Sequence, residues 1–99
     1  MQEKITVLAR FRAKTGLEQD LKELLLALIE PGRLDEGCIN YDLHQAIDDP
    51  ALFIFYENWL SREHLDKHST TPHVELFRSK AKALLAEAPE LTLLDKISS

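Results

Sequence analysis

The chain has a single cysteine, Cys38, and no CxxC pair. This excludes an intrachain disulfide and dithiol chemistry, and it fits a reducing compartment. Its three glycines are isolated, so no glycine-rich loop can cradle a phosphate. No apolar run approaches the roughly 18 residues of a membrane span. The opening MQEKITVLARFRAK has no apolar stretch of signal-peptide length. The expected address is the cytoplasm, with no membrane partner. Basic residues are outnumbered, 12 to 17, for a net charge of −5. Arg78, Lys80 and Lys82 form the longest basic cluster and are spread around a predicted helix. Without clustered Lys and Arg to neutralise phosphates, no nucleic-acid partner is expected.

What is present suits one small domain over residues 1–99. Apolar residues make up 44% and charged residues 29%, enough to rule out wholesale disorder. A domain this size buries roughly two-thirds of its unfolded surface and gains from a partner subunit.

The periodicities alternate between strand and helix. ITVLARFRA, residues 5–13, puts Ile5, Val7, Ala9 and Phe11 on one face and Thr6, Leu8, Arg10 and Arg12 on the other. Thr15 and Glu18 have the spacing of a capping box. Leu17, Leu21, Leu24, Leu25 and Leu28 then make one helical stripe, which Pro31-Gly32 ends or kinks. CINYDLHQA predicts a strand with Ile39, Tyr41 and Leu43 on one side. Asp48-Asp49-Pro50 predicts a turn, and LFIFYENW predicts the strand that closes a hairpin. Ser61 predicts the cap of a short helix to about His68. Thr71-Pro72 starts another helix with Val74, Phe77, Ala81, Leu84 and Leu85 inside, and Pro89 closes it. ELTLLDKI is the last strand.

The order β-α-β-β-α-β predicts an α+β, ferredoxin-like fold. Its four-stranded antiparallel sheet has the order 4-1-3-2, with the helices on one face. LFIFY is apolar on both faces, and Leu8 lies opposite Val7. Helices cover only one face, so the pattern predicts a homodimer with two sheets packed face to face.

At this level the chain resembles the antibiotic biosynthesis monooxygenase (ABM) domain family. The resemblance runs over nearly the full length. It is most specific at GCINYDLHQ, at the FYENW strand end and at the HxxTPH element of His68, Thr71, Pro72 and His73. It implies a dimeric α+β barrel with a ligand pocket between each sheet and its own helices. It also implies oxidation of polyaromatic phenols or quinols by O2 without metal, flavin or haem, the substrate itself being the reductant. Haem-degrading members use an Asn on strand one, a Trp ending strand three and a His on the next helix. Trp59 and His68 match the last two, but ITVLARFRA contains no Asn. The Asn-x-x-x-Trp pair of polyketide-oxidising members is also absent, because Phe55 stands four before Trp59. A relative that processes a phosphorylated signalling sugar shares the TTPH element. An isomerase or sugar-phosphate enzyme, with Arg10 or Arg12 as anion site, is therefore an alternative, and a non-catalytic binder is another.

Residues 58–73, NWLSREHLDKHSTTPH, hold His64, His68, His73 and the sole tryptophan. His64 and His68 share a helical face, as zinc-binding histidines do, but the sequence offers no third ligand, so no metal is expected. His64 reads as a solvated helix residue. His68 reads as a pocket base or hydrogen-bond donor. His73, in the first turn of a helix, should be neutral; it either accepts a phenolic proton or packs the helix junction. Trp59 is core, pocket wall or both. Glu57 shares its face and is read as the ion-pair partner of Arg10 or Arg12 in preference to a pocket base. Tyr41, Asn58, His44 and Arg10 complete the substrate-binding candidates. Tyr41 is also read as core with a polar tip, and His44 as an interface or rim residue. Cys38 is read as inert.

Overall fold

The computed structural model describes residues 4–98. The elements are β1 (Ile5–Arg12), α1 (Glu18–Leu26), α2 (Ile29–Leu34), β2 (Cys38–Gln45), β3 (Leu52–Trp59), α3 (Arg62–Ser69), α4 (Pro72–Ala81) and β4 (Glu90–Leu94). The sheet runs β2-β3-β1-β4 with every neighbouring pair antiparallel. This is the ferredoxin-like arrangement that the alternating periodicities predict.

The inner face of the sheet is made by Val7, Ala9 and Phe11 of β1, Tyr41 of β2, and Phe53, Phe55 and Trp59 of β3, all buried. Leu21, Leu25, Leu65, Val74 and Phe77 from the helices complete the core. Aromatic contacts knit it together. Tyr41 stacks on Phe55 with ring centroids 4.3 Å apart, and Phe11 meets Phe77 edge-on at 5.5 Å. On the outer face, Leu8, Leu52 and Ile54 are only partly buried. Tyr56 is 43% exposed and Leu94 40%. Among the described residues, nothing covers this face.

Four local expectations are corrected. The Thr15/Glu18 capping box does not form: α1 begins after Leu17 with no side-chain cap, and Glu18 instead accepts from the Gly16 N–H at 3.0 Å. The leucine stripe breaks into two helices around Ala27–Leu28, and Pro31-Gly32 lies inside α2. The proline ring would crowd the Ala27 carbonyl four residues back, so the break falls upstream of it. Within α2, Pro31 occupies the first turn, where its missing N–H is no loss. In β2 a bulge between Cys38 and Asn40 removes Ile39 from the inner side, leaving it 45% exposed. The last predicted helix ends at Ala81, short of Leu84, because the backbone of residues 84–86 turns back to hydrogen-bond Arg12 and Lys14 at the end of β1.

Two glycines allow close approaches that matter below. Gly32 lies so near the Tyr41 ring that a Cβ there would overlap it. Gly37 has φ +83° and sits against the His64 ring, so both its conformation and its space exclude a side chain.

Candidate active site

The site forms where the end of β3 runs into α3. Ser61 caps α3, its Oγ accepting from the His64 N–H at 3.2 Å. This fixes the helical phase and puts Leu65 and His68, three residues apart, on the buried side. The Thr71 hydroxyl donates to the His68 carbonyl at 2.8 Å, closing the turn between α3 and α4. Pro72 then starts α4, and His73 faces back toward His68 with ring centroids 6.2 Å apart.

Both imidazoles meet one carboxylate. Asp35, at the end of α2, has its Oδ2 2.7 Å from His68 Nδ1 and 2.8 Å from His73 Nε2. A carboxylate accepts only, so the network assigns the proton of neutral His68 to Nδ1 and that of His73 to Nε2. His68 is thereby oriented like a general base backed by a carboxylate, with a lone pair on Nε2. Its ring lies 4.5 Å from that of Trp59 and 5.2 Å from that of Tyr41, centroid to centroid. Burial lowers its pKa below the usual imidazole value, and Asp35 offsets only part of that. His68 is therefore neutral at pH 7.

Glu57 is the second buried ionisable group. Its Oε1 accepts from Trp59 Nε1 at 2.9 Å. Burial raises its pKa to about 7, against the opposing pull of that N–H. Burial also raises Tyr41, and Glu57 and Asp35 add to the shift. Cys38 is pushed up to about 11, chiefly by burial, which makes it a poor thiolate source.

A cavity of about 100 Å³ separates the sheet from the helices. Phe11, Phe55, Leu65 and Phe77 give apolar walls, Tyr41, Glu57 and His68 polar ones, and Pro89 and Leu91 the rim. Among the described residues, no hydrogen bond is made by Tyr41 Oη, Glu57 Oε2 or His68 Nε2. No buried side-chain nitrogen or oxygen lacks a partner either. These three atoms therefore keep some solvent-accessible surface, and their residues line this cavity. A wider groove, about 730 Å³, lies on the outer face beside Thr6, Tyr56, Asn58 and Leu94 and holds no imidazole.

The structure thus brings together His68, Trp59, His73, Tyr41 and Glu57 and separates them from the rest. Arg10, His44 and Asn58 lie on the outer face, paired across strands with Ile54 or with Thr6 and Asn40. Asn58 accepts from the Thr6 hydroxyl and donates to Asn40 Oδ1 at 2.9 Å. The strand register puts Arg10 and Asn58 away from the cleft, and it puts His44 on the face opposite Tyr41, where it is read as an interface or rim residue. The Glu57 ion pair is corrected too. Glu57 pairs across from Val7 on the inner face, while Arg10 lies 3.7 Å from Glu90 and Arg12 2.7 Å from Asp49. The anion site imagined at Arg10 or Arg12 faces away from the cavity for the same reason. His64 is not free in solvent: its Nδ1 lies 2.8 Å from Ser61 Oγ. It does not converge with His68.

Asp35 is the functional candidate that sequence reasoning missed. It is 33 residues from His68 and 38 from His73. No spacing rule links them. The only local signal is an acidic residue between a helix end and the Gly37 that opens a strand.

The Glu57 assignment has a thermodynamic consequence. A carboxyl whose folded pKa lies above its unfolded value stabilises the fold below the unfolded pKa, and that stability is lost as pH rises through the folded one. The window here runs from about 4.5 to about 7, with a loss on the order of 3 kcal/mol. Glu57→Gln keeps an acceptor for Trp59 Nε1 and removes the ionisation. Urea unfolding of the variant should show stability nearly flat across that window and above wild type at pH 8. A parallel pH slope in both proteins would refute the assignment.

Comparison with known proteins agrees with the fold. Residues 4–80 match the family model described as antibiotic biosynthesis monooxygenase. A Mycobacterium tuberculosis protein, Rv0793, provisionally named a monooxygenase, is 35% identical over 94 residues, covering 95% of this chain and 92% of its own. Its solved structure superposes with a TM-score of 0.91 at 31% identity, covering 98% of each chain. PA3566 from Pseudomonas aeruginosa superposes at 0.92 with 33% identity, covering 99% of this chain and 98% of its own. The chain belongs to the antibiotic biosynthesis monooxygenase family.

Proposed function

We propose that the protein is a monooxygenase that oxidises a small phenol or quinol with O2 and needs no cofactor. The observation that carries this reading is His68 Nε2: a neutral imidazole nitrogen, open to an apolar cavity, with its other nitrogen held by Asp35. A phenol bound with its hydroxyl at Nε2 gives up that proton. The phenolate transfers one electron to O2, and the radical pair recombines at a ring carbon. Loss of water from the hydroperoxide leaves a quinone carbonyl. One oxygen atom of O2 ends in product and the other in water, and the substrate supplies all the electrons. His68 takes and returns the proton, and Tyr41 and Glu57 orient the ring. The water-poor walls favour this chemistry by replacing solvent with fixed dipoles.

Cavity size sets the substrate class. A dry cavity of about 150 Å³ holds one benzene ring. At about 100 Å³ this one takes a single ring with slight opening at Pro89 and Leu91.

We also infer a homodimer. Leu8, Ile54, Tyr56 and Leu94 leave the outer face apolar and uncovered, and a second copy would bury it. Sedimentation equilibrium tests this: a single-chain mass at micromolar concentration would exclude it.

The test of function is oxygen uptake by metal-stripped protein across single-ring phenols and quinols, with spontaneous oxidation subtracted. Saturable uptake is expected. Uptake at background for every compound would sink the oxidation reading and favour a binder or a sugar-phosphate enzyme, the latter revealed by phosphate competition for a bound ring.

A further inference from the structure

His68 lies between two spaces. One is the cavity that its Nε2 faces. The other is a solvent cleft of about 350 Å³ beside Asp35, Glu36, Lys67, Thr70 and Thr71, which His68 also lines. We propose that Asp35, His68 and His73 form a site for a divalent first-row metal ion on the cleft side, and that filling it turns His68 from a proton acceptor into a donor on the cavity side.

The donor set is two imidazole nitrogens and one carboxylate oxygen, all within 4.8 Å of one another. That set suits zinc and its neighbours, with water from the cleft completing the coordination. His68 Nδ1 and His73 Nε2 already point at the same carboxylate oxygen, at 2.7 and 2.8 Å. Around zinc, with bonds of about 2.0–2.2 Å, tetrahedral ligand atoms stand roughly 3.4 Å apart. The two contacts need to open by well under 1 Å, and the two imidazole nitrogens, within 4.8 Å of each other, need to settle at that same spacing. The helices already hold both rings in place, through the Thr71 hydrogen bond to the His68 carbonyl and the start of α4 at Pro72. The Lys67 ammonium is held by Glu36 at 3.1 Å. The expectation of no metal rested on His64 and His68 lacking a third ligand. The fold supplies a different pair, and the third ligand is Asp35.

The switch follows from proton bookkeeping. Each neutral imidazole carries one proton. A metal on Nδ1 of His68 uses that lone pair, and the ring proton moves to Nε2. His73 moves its proton to Nδ1 in the same way. No net proton is released, but Nε2 loses its lone pair to the substrate side. The metal site stands on its own donors; only the switch rests on the proposed oxidation.

Calorimetric titration of metal-stripped protein with zinc sulfate tests the site. One ion per chain is expected, with micromolar or tighter affinity. Asp35→Asn and His73→Ala should each weaken it at least tenfold. His64→Ala, beside Glu36 on the nearby surface, should not. Cobalt gives a second readout, because a tetrahedral site with bound cobalt absorbs visible light strongly. Zinc binding unchanged in Asp35→Asn and His73→Ala, or lost equally in His64→Ala, would overturn the site. The switch is read by oxygen uptake. Zinc should abolish uptake by the wild type, a chelator should restore it, and any residual uptake by His73→Ala should resist zinc. Full uptake by zinc-loaded wild type would overturn the switch and leave the site standing. Absence of uptake without zinc would sink the oxidation reading, and the titration would still decide the site.

Discussion

Replacing His68 with alanine is expected to lower kcat for quinol oxidation by roughly 10²–10⁴-fold, the usual worth of a positioned proton acceptor. KM should change much less, because the apolar walls and the Tyr41 and Glu57 contacts remain. Asp35→Asn should give an intermediate loss, since the imidazole survives but its tautomer and orientation are no longer fixed. The two variants also differ in pH dependence. The base form of His68 persists below the ordinary imidazole pKa of about 6.5 because burial lowers its value. The wild-type kcat/KM should hold through neutrality and fall only as pH drops below that value. Asp35 raises the His68 pKa, so in Asp35→Asn the acid limb should move to still lower pH. An acid limb that moves upward, or uptake by His68→Ala within threefold of wild type, would remove His68 from the chemistry.

Trp59→Ala is expected to cost about 3–5 kcal/mol of folding stability, against a typical total of about 5–15 kcal/mol. The indole is fully buried at the end of β3, 6.2 Å from the Tyr41 ring and 4.5 Å from the His68 ring. Its loss leaves a void under α3. It also removes the N–H that Glu57 accepts. Trp59→Phe separates the two contributions, because it restores most of the volume but not the donor. Urea midpoints should then show a smaller loss, about 1–3 kcal/mol from the unpaired carboxyl. The Glu57 pKa should rise further, because the one contact holding it down is gone. Equal losses in both variants would mean that the hydrogen bond, and not packing, dominates at this position.

The strands and the inner core were legible because their signals are local. Val7, Ala9 and Phe11 share one face of β1, and Phe53, Phe55, Glu57 and Trp59 share one face of β3, with one polar member. The Ser61 cap and the Thr71-Pro72 start are also local, and they place His68 and His73. The errors arose where a residue's neighbours are set by register or by distant chain. Pro31 acts on the turn before it, so the leucine stripe looked continuous. The bulge at Ile39 shifts one residue and cannot be seen in the alternation of CINYDLHQ. Arg10 and Glu57 look like ion-pair partners until the register sets Glu57 across from Val7 and Arg10 across from Ile54. Asp35 reaches the site only because β2 and β3 are neighbours and α2 packs behind them, an arrangement that no spacing within the sequence reports.

The most direct measurement is the ultraviolet difference spectrum of a limiting electron-poor phenol, one whose own pKa is close to that of an imidazole, mixed anaerobically with excess metal-stripped protein at a pH below that pKa. Without oxygen no oxidation follows, so proton transfer to His68 is seen alone. The account predicts a phenolate band in the wild type, weakened in Asp35→Asn and absent in His68→Ala. A bound phenol that stays neutral in the wild type, or a phenolate band of equal size in His68→Ala, would contradict it.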